Sequence, residues 1–394
     1  MPQTLPPLKA PHRLLFGPGP SLVPQRVYDA LSQPLVGHLD PFFFEVADQV
    51  RGLLAYVFST AGRFNLALSG TGSSGMEACV ANFAEPGEKF AVLSNGFFAD
   101  RIAEMARRQG AMVVKLDKPW GEPFDPQETR EFIRRERPRL VAFVQAETST
   151  GMFNPAAPVA EAAHEVDALV IADCVTSLGG MPVAVDAGGI DIAYSCSQKG
   201  LSCPPGLAPV TLGPRAEERL RARSAPLHTW YLDLLLLNDS YYTGRRYHHT
   251  ASATLFYALR EGLAMVAEEG LENRFARHRR NHRAFVAGIE AMGLSMLVAE
   301  PGDRLWTLNT PRVPEGVDDA RVRNYLLEAR GIEIAGGFGP LAGKVFRIGL
   351  MGAGSTAENV LLVLEALEEA LRQQGFRAAG DARAAAEKVL AVTV

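Results

Sequence analysis

The stretch "SGTGSSGMEA" (residues 69–78) follows a short apolar run, "FNLAL" (64–68), and opens a pattern with helical spacing. Gly70, Gly72 and Gly75 stand in G-x-G-x-x-G order. A glycine turn of this kind lets backbone N–H groups at a helix N-terminus approach a phosphate, and Thr71 and Ser73 add hydroxyl donors. A dinucleotide fold also calls for an acidic residue at the end of the next strand, to hold the ribose. Here that strand, "KFAVLSNG" (89–96), ends in Asn95. Phosphate is therefore favoured over a nicotinamide dinucleotide, and a plain helix-capping glycine turn stays open for the motif taken singly.

Outward from this turn, short apolar runs alternate with helical patterns between residues 64 and 212. The runs are "FNLAL", "KFAVLS", "AMVVKL", "RLVAFVQ", "ALVIAD", "DIAYS" and "LAPVTL", with "SSGMEACVANFA", "FFADRIAEMARRQG" and "VAEAAHEVD" as helices between them. This rhythm predicts a mostly parallel sheet covered on both faces, with ligands bound beyond the strand carboxyl ends. After residue 250 two long helical patterns lead into "LSMLV", "LWTLNT", "IEIAGG" and "VFRIGL", read as strands of a small α+β domain. The expected organisation is an N-terminal arm (1–20), a large domain (21–265) and a small C-terminal domain (266–394). The Ala-rich tail after Gly375 reads as a helix or a fraying end.

A chain of 394 residues that is 47% hydrophobic is long enough for two cores. A formal charge of -4 gives no polybasic footprint, so neither nucleic acid nor an anionic membrane is an expected partner. The basic run "RFARHRRNHR" reads as a solvated helix face. Cys79, Cys174, Cys196 and Cys203 show no metal-ligand spacing, and no metal site is expected. The proline-rich N-terminus lacks the apolar run of a signal peptide, "LDLLLLND" is too short to span a bilayer, and "AVTV" (391–394) is no S-K-L-type address. The expected location is cytoplasmic.

Two residues close strands at the expected ligand edge. Asp173 ends "ALVIAD", where a carboxylate caps a turn or holds a protonated ring nitrogen. Lys199, in "SQKGLSCPPG" (197–206), is either a solvated cation or a buried amine whose unprotonated form attacks a carbonyl. A phosphate turn, a strand-end Asp and a strand-end Lys, in that order, form the set that pyridoxal phosphate needs. Arg347 interrupts the apolar run "VFRIGL", where a cation is costly unless it meets an anion: a substrate carboxylate or a buried ion-pair partner.

Over nearly its whole length the chain resembles the class V aminotransferases, most closely their alanine-glyoxylate/serine-pyruvate (serine-glyoxylate) branch. The resemblance is carried by "FGPGPS" (16–21), "SGTGSSGMEA", "SNGFFADR" (94–101), "ETSTG" (147–151), "DCVTSLGG" (173–180), "SCSQKGLSCPPG" (195–206), "YHHT" (247–250), "ALREGL" (258–263), "EEGLENRFARH" (268–278) and "GKVFRIGLMG" (343–352). It implies the PLP-dependent transferase fold of type I, with a mostly parallel seven-stranded sheet, and Lys199 as the Schiff-base lysine with Asp173 on the pyridine nitrogen. It further implies Thr71, Gly72, Ser73 and Gln198 on the phosphate, Phe98 stacked on the ring where close relatives often carry Trp, and Thr148 near the ring. Tyr247 and Thr250 would reach the phosphate from the partner of a homodimer, and Arg347 and Gly19 would contact substrate. His38 is either a substrate contact or a loop residue, and His248 and His249 pack at the subunit boundary.

The activity implied is transfer of the amino group of a small amino acid, alanine or serine, to glyoxylate or pyruvate by a ping-pong route. One carboxylate clamp favours monocarboxylic donors, though Arg245 and Arg246 could supply a second. Ureidoglycine-glyoxylate and pyridoxamine-pyruvate enzymes of the same family are the alternative. A cysteine desulfurase is disfavoured, because all four cysteines precede residue 204. An NAD-dependent oxidoreductase rests on the glycine motif alone, and a non-catalytic cofactor-binding regulator lacks a visible DNA-binding appendage.

Overall fold

A computed structural model describes residues 5–223 and 226–392. The first four residues of the N-terminal arm and the last two of "AVTV" lie outside the described residues.

All seven apolar runs between residues 64 and 212 enter one sheet. They form β1 (Phe64–Ser69), β2 (Lys89–Ser94), β3 (Met112–Asp117), β4 (Leu140–Val144), β5 (Leu169–Asp173), β6 (Ile192–Tyr194) and β7 (Leu207–Leu212). The spatial order is β1-β7-β6-β5-β4-β2-β3, with β7 antiparallel to both neighbours and the other pairs parallel. Strands β4, β5 and β7 are buried at every position, so they read as continuous rather than alternating apolar runs. The edge strand β3 instead carries Lys115, ion-paired with Asp100 and Asp117, a charged edge that discourages further strand pairing.

Helices α1 (Gly72–Phe83) and α2 (Phe97–Arg108) follow β1 and β2. A Cβ at Gly75 would come within 3.1 Å of the Ala208 Cβ on β7 and 3.4 Å of the Tyr194 Cβ on β6, so a glycine lets α1 settle closely on the sheet. Strands β1, β2, β4, β5 and β6 point the same way, and their carboxyl ends share one edge. The loops at that edge carry Thr71, Thr148 and Lys199, with Phe98 in the first turn of α2 and Asp173 at the strand end itself.

Beyond the sheet run α3 (Ala253–Glu269) and α4 (Leu271–Ala291), broken at Gly270 with φ +79°. The C-terminal strands form a small antiparallel sheet of Leu308–Asn309, Phe346–Gly349 and Ala335–Gly336. "IEIAGG" divides between two partners, because Ile332–Glu333 pairs in parallel with Leu14–Leu15 of the arm. "LSMLV" differs from expectation: it makes only an isolated bridge, Met296 with Pro311, flanked by the Leu297 N–H to the Thr310 carbonyl and the Arg312 N–H to the Ser295 carbonyl, both at 2.8 Å. The Ala-rich tail is helical over Ala382–Leu390, capped by Asp381, whose carboxylate accepts from the Ala384 N–H at 2.9 Å.

Buried apolar side chains form two main clusters. One draws on residues from Val27 to Val266 around the seven-stranded sheet; the other joins Phe16 to residues from Ala284 to Ala386. Phe143, fully buried on β4, exemplifies the first; its truncation to Ala would cost about 3–5 kcal/mol.

Candidate active site

One cavity opens at the shared carboxyl edge. Its lining includes Thr71, Gly72, Ser73, Phe98, Thr148, Asp173, Gln198 and Lys199, joined by Met76, Arg101, Ala146 and Val175. The turn between β1 and α1 is possible because Gly70 adopts φ +153°, where a Cβ would stand 2.3 Å from Ser74 Oγ. Thr71 occupies the N-cap of α1, yet its hydroxyl makes no capping bond. That hydroxyl and the first amides of α1 are free to face an anion.

Asp173 is 2% exposed and accepts from the Val175 N–H at 2.9 Å and the Tyr194 hydroxyl at 2.8 Å. Burial pushes its carboxyl up to about 6, against the pull of those two hydrogen bonds and of the Lys199 and Arg101 cations. Lys199 opens to the cavity while its ammonium is held away from bulk water. Burial pushes its pKa below the ordinary value, Arg347 adds to that push, and Cys196 and Asp173 oppose it. The Lys199 Nζ donates to the Pro18 carbonyl. The Ser21 N–H donates to the Gln198 carbonyl at 2.9 Å, and the Ser21 hydroxyl to the Lys199 carbonyl at 2.7 Å. "FGPGPS" thus clasps the lysine loop. A Cβ on Gly19 would lie 2.6 Å from the Lys199 Cδ, Cε and Nζ, so this glycine leaves room for the amine.

Arg347 comes to the site from the small antiparallel sheet. It is 3% exposed, donates to the Gly336 carbonyl at 2.7 Å and to the Thr148 carbonyl at 3.4 Å, and lies 3.8 Å over the Phe338 ring. Among the described residues no carboxylate forms an ion pair with it. Burial pushes its pKa down to about 10, with only the field of Glu147 opposing. The buried-ion-pair reading of this arginine therefore lacks a partner. Thr148 shares its hydroxyl with Thr176 at 2.5 Å.

The family model described as aminotransferase class-V matches residues 13–360. The chain belongs to the class-V aminotransferases. It is 40% identical to an alanine–glyoxylate aminotransferase of Callithrix jacchus, over 93% of this chain and 90% of that one. Among solved structures it is similar to an alanine–glyoxylate aminotransferase from Nostoc sp. (TM-score 0.92, 46% identity, 94% and 98% of the two chains). It is also similar to a ureidoglycine–glyoxylate aminotransferase from Bacillus subtilis (TM-score 0.95, 40% identity, 98% and 100%). The protein is accordingly a transaminase dependent on pyridoxal phosphate, acting on amino and oxo acids.

The cavity fits that cofactor on its own evidence. The uncommitted Thr71 hydroxyl and the first α1 amides are donors at the cavity wall, and Gln198, whose side-chain oxygen has no protein partner, can present its amide NH2 there. Several residues in or behind this cavity wall escaped the sequence reading. Arg101 lines the cavity, donates to Ser73 Oγ at 3.2 Å and stacks 5.0 Å over the Phe98 ring; its signal lay in "SNGFFADR". Tyr194 looked like strand filler, and Glu147 like the first letter of a turn.

Tyr247 and Thr250 do not reach the cavity of their own chain. Tyr247 is 63% exposed, and Thr250 is exposed as well. His248 is buried against the Trp230 ring at 4.0 Å, His249 meets Ser69 Oγ at 2.7 Å, and His38 lies 5.4 Å from the Tyr247 ring. Arg245 is paired with Asp48 and stacked on Phe44.

Proposed function

We propose that this transaminase moves the amino group of a small monocarboxylic amino acid, alanine or serine, to glyoxylate or pyruvate in two half-reactions. The observation that carries the reading is Arg347, a buried guanidinium without a counter-ion, close enough to Lys199 to depress its pKa. A substrate carboxylate supplies the missing anion and sets the amino acid's Cα beside the lysine. Of the two residues considered for a second clamp, Arg245 is already engaged by Asp48.

Pyridoxal phosphate, when bound, supplies a carbonyl that condenses with amines and a ring that takes up the electron pair left when a Cα proton departs. Lys199 provides the amine that holds the cofactor carbonyl, and its lowered pKa keeps a base available for the Cα proton. Asp173 holds the proton on the ring nitrogen, and Tyr194 and the Val175 amide orient that carboxylate. Thr71, Gly72, Ser73 and Gln198 bind the phosphate, Phe98 stacks on the ring, and Thr148 and Gly19 border ring and substrate.

The active unit is read as a homodimer with shared sites. Exposed Tyr247 and Thr250 outside their own cavity support it, as does an exposed apolar surface that includes Leu35, Phe42, Trp230 and Tyr231. The division into arm (1–20), cofactor-binding domain (21–265) and small domain (266–394) is supported by the two apolar clusters. Cytoplasmic placement is supported by four free, buried thiols. No helix among the described residues is long and apolar enough to cross a membrane.

Adding single amino acids to the holoenzyme and following the cofactor absorbance tests the donor. Conversion by alanine or serine but not aspartate is expected; conversion by (S)-ureidoglycine alone would replace this reading with the reaction named for the Bacillus subtilis relative.

A further inference from the structure

Glu147 is fully buried without lining the cavity, and its side-chain hydrogen bonds all serve one junction. One carboxylate oxygen accepts from the Phe98 N–H at 3.1 Å; the other accepts from the Ser149 N–H at 3.0 Å and the Ser149 hydroxyl at 2.6 Å. The Ser149 hydroxyl oxygen in turn accepts from the Phe97 N–H at 3.0 Å. These are the first amides of α2, which has no side chain of its own at the N-cap, Gly96. A Cβ at Gly96 would lie 2.3 Å from Glu147 Cγ and 2.4 Å from its Cδ, so the glycine makes room for a cap delivered from another segment.

A serine at position 96 would satisfy the same kind of amide without burying a carboxyl, which burial here pushes up to about 7. What the delivered cap adds is a link. Phe98, in the first turn of α2, lines one wall of the cavity; Thr148, next to Glu147, lines another, and its carbonyl receives Arg347 at 3.4 Å.

The geometry points to Glu147 as a positioning residue: through the Phe98 amide it sets the Phe98 ring against the cofactor ring, at a fixed place relative to Thr148 and Arg347. The inference rests on reading Phe98 as the stacking residue. Apoproteins of wild type, E147Q, F98A and the double variant are titrated with pyridoxal phosphate. Circular dichroism in the cofactor band, kcat and KM for alanine are then recorded on the loaded proteins. Gln preserves volume but turns an N–H group toward an N–H donor. E147Q should weaken cofactor binding about tenfold, the loss of one hydrogen bond to a charged group. It should also diminish the dichroism and lower kcat by a larger factor than it raises KM. On the F98A background its effect on affinity should shrink below about twofold, because the two changes act through one contact. S149A, which removes only the hydroxyl bridging Glu147 and Phe97, should move the same readouts the same way by a smaller factor, and decides the matter if E147Q does not fold. Equal losses in both backgrounds would overturn the proposal while leaving stacking intact. An F98A protein with wild-type affinity and dichroism would overturn it by removing the stacking it depends on.

Discussion

Asp173→Asn separates two consequences of one buried carboxylate. Burial lifts the group from an ordinary 3.8 to about 6. A carboxyl whose native pKa lies above its unfolded pKa binds more protons in the native state, so stability falls as pH rises between the two values. Holding Asp173 ionised above that window costs the apoprotein about 3 kcal/mol, while below about pH 4 the cost vanishes. Asn nearly preserves the shape: its oxygen can keep the Val175 N–H, and the Tyr194 hydroxyl can turn to accept from the new amide. Apo Asp173→Asn should therefore be more stable than wild type at about pH 8, by up to about 3 kcal/mol, and nearly equal to it at about pH 4. Glu147, whose pKa the Asp173 charge helps to raise, is relieved in the variant and moves the difference in the same direction. Turnover should move the other way. Loss of the anion that keeps the ring nitrogen protonated removes stabilisation chiefly in the transition state, and a charge-assisted contact of about 3 kcal/mol corresponds to roughly a hundredfold in kcat. Thermal unfolding of the apoproteins at the two pH values, with single-turnover kinetics on the loaded ones, measures both. A variant equally destabilised at both pH values would refute the desolvation argument. A kcat within a few-fold of wild type would remove Asp173 from the ring nitrogen.

Gly19→Ala places a Cβ 2.6 Å from the Lys199 Nζ at φ +124°, so the amine should be displaced and covalent cofactor retention lost. Borohydride reduction followed by peptide mapping should label Lys199 in wild type and little in the variant. Arg347→Ala should raise KM for the amino acid by about 10–150-fold, the span of one hydrogen bond to a charged group, with cofactor affinity unchanged; parallel substrate and cofactor titrations check this. Mixing inactive Lys199→Ala subunits with inactive Tyr247→Ala/Thr250→Ala subunits should restore activity at one site per dimer, and no recovery after confirmed subunit exchange would exclude the shared site.

The sheet was legible because its central strands are buried on both faces, which leaves little freedom but continuous Val, Leu, Ile and Ala. The cavity edge was legible for a related reason: Asp173 and Lys199 are charged residues set where apolar strands end. What stayed hidden were groups whose role depends on a neighbour far along the chain. Tyr194 looks like any aromatic in a strand until β6 pairs with β5 and brings its hydroxyl to Asp173. Glu147 reads as a turn residue until Gly96 is seen to leave room for it. "LSMLV" has a strand's composition, yet the register of its neighbour leaves it a single bridge, Met296 with Pro311.

The same distinction explains "EEGLENRFARH", a motif without a nucleophile or a general base in the cavity. Arg274 is 4% exposed and donates to the Gly179 carbonyl at 2.6 Å, to the Gly200 carbonyl at 2.7 Å and to Glu269 at 2.6 Å. Gly200 directly follows Lys199. One turn later His278 donates from Nδ1 to the Arg274 carbonyl at 2.7 Å and accepts from the Gly352 N–H on Nε2 at 2.9 Å. Burial pushes its pKa down to about 3, and the neighbouring Arg274 and Arg277 cations add to that, so the ring stays neutral and this single tautomer persists at physiological pH. Gly352 opens the short turn that follows the strand carrying Arg347. Helix α4 therefore grips the loop that follows Lys199 with one residue and the turn beyond the Arg347 strand with another. Two groups proposed to meet the same small substrate, but delivered by different sheets, are thus tied together by a buried Arg and a neutral His that lie outside the cavity lining.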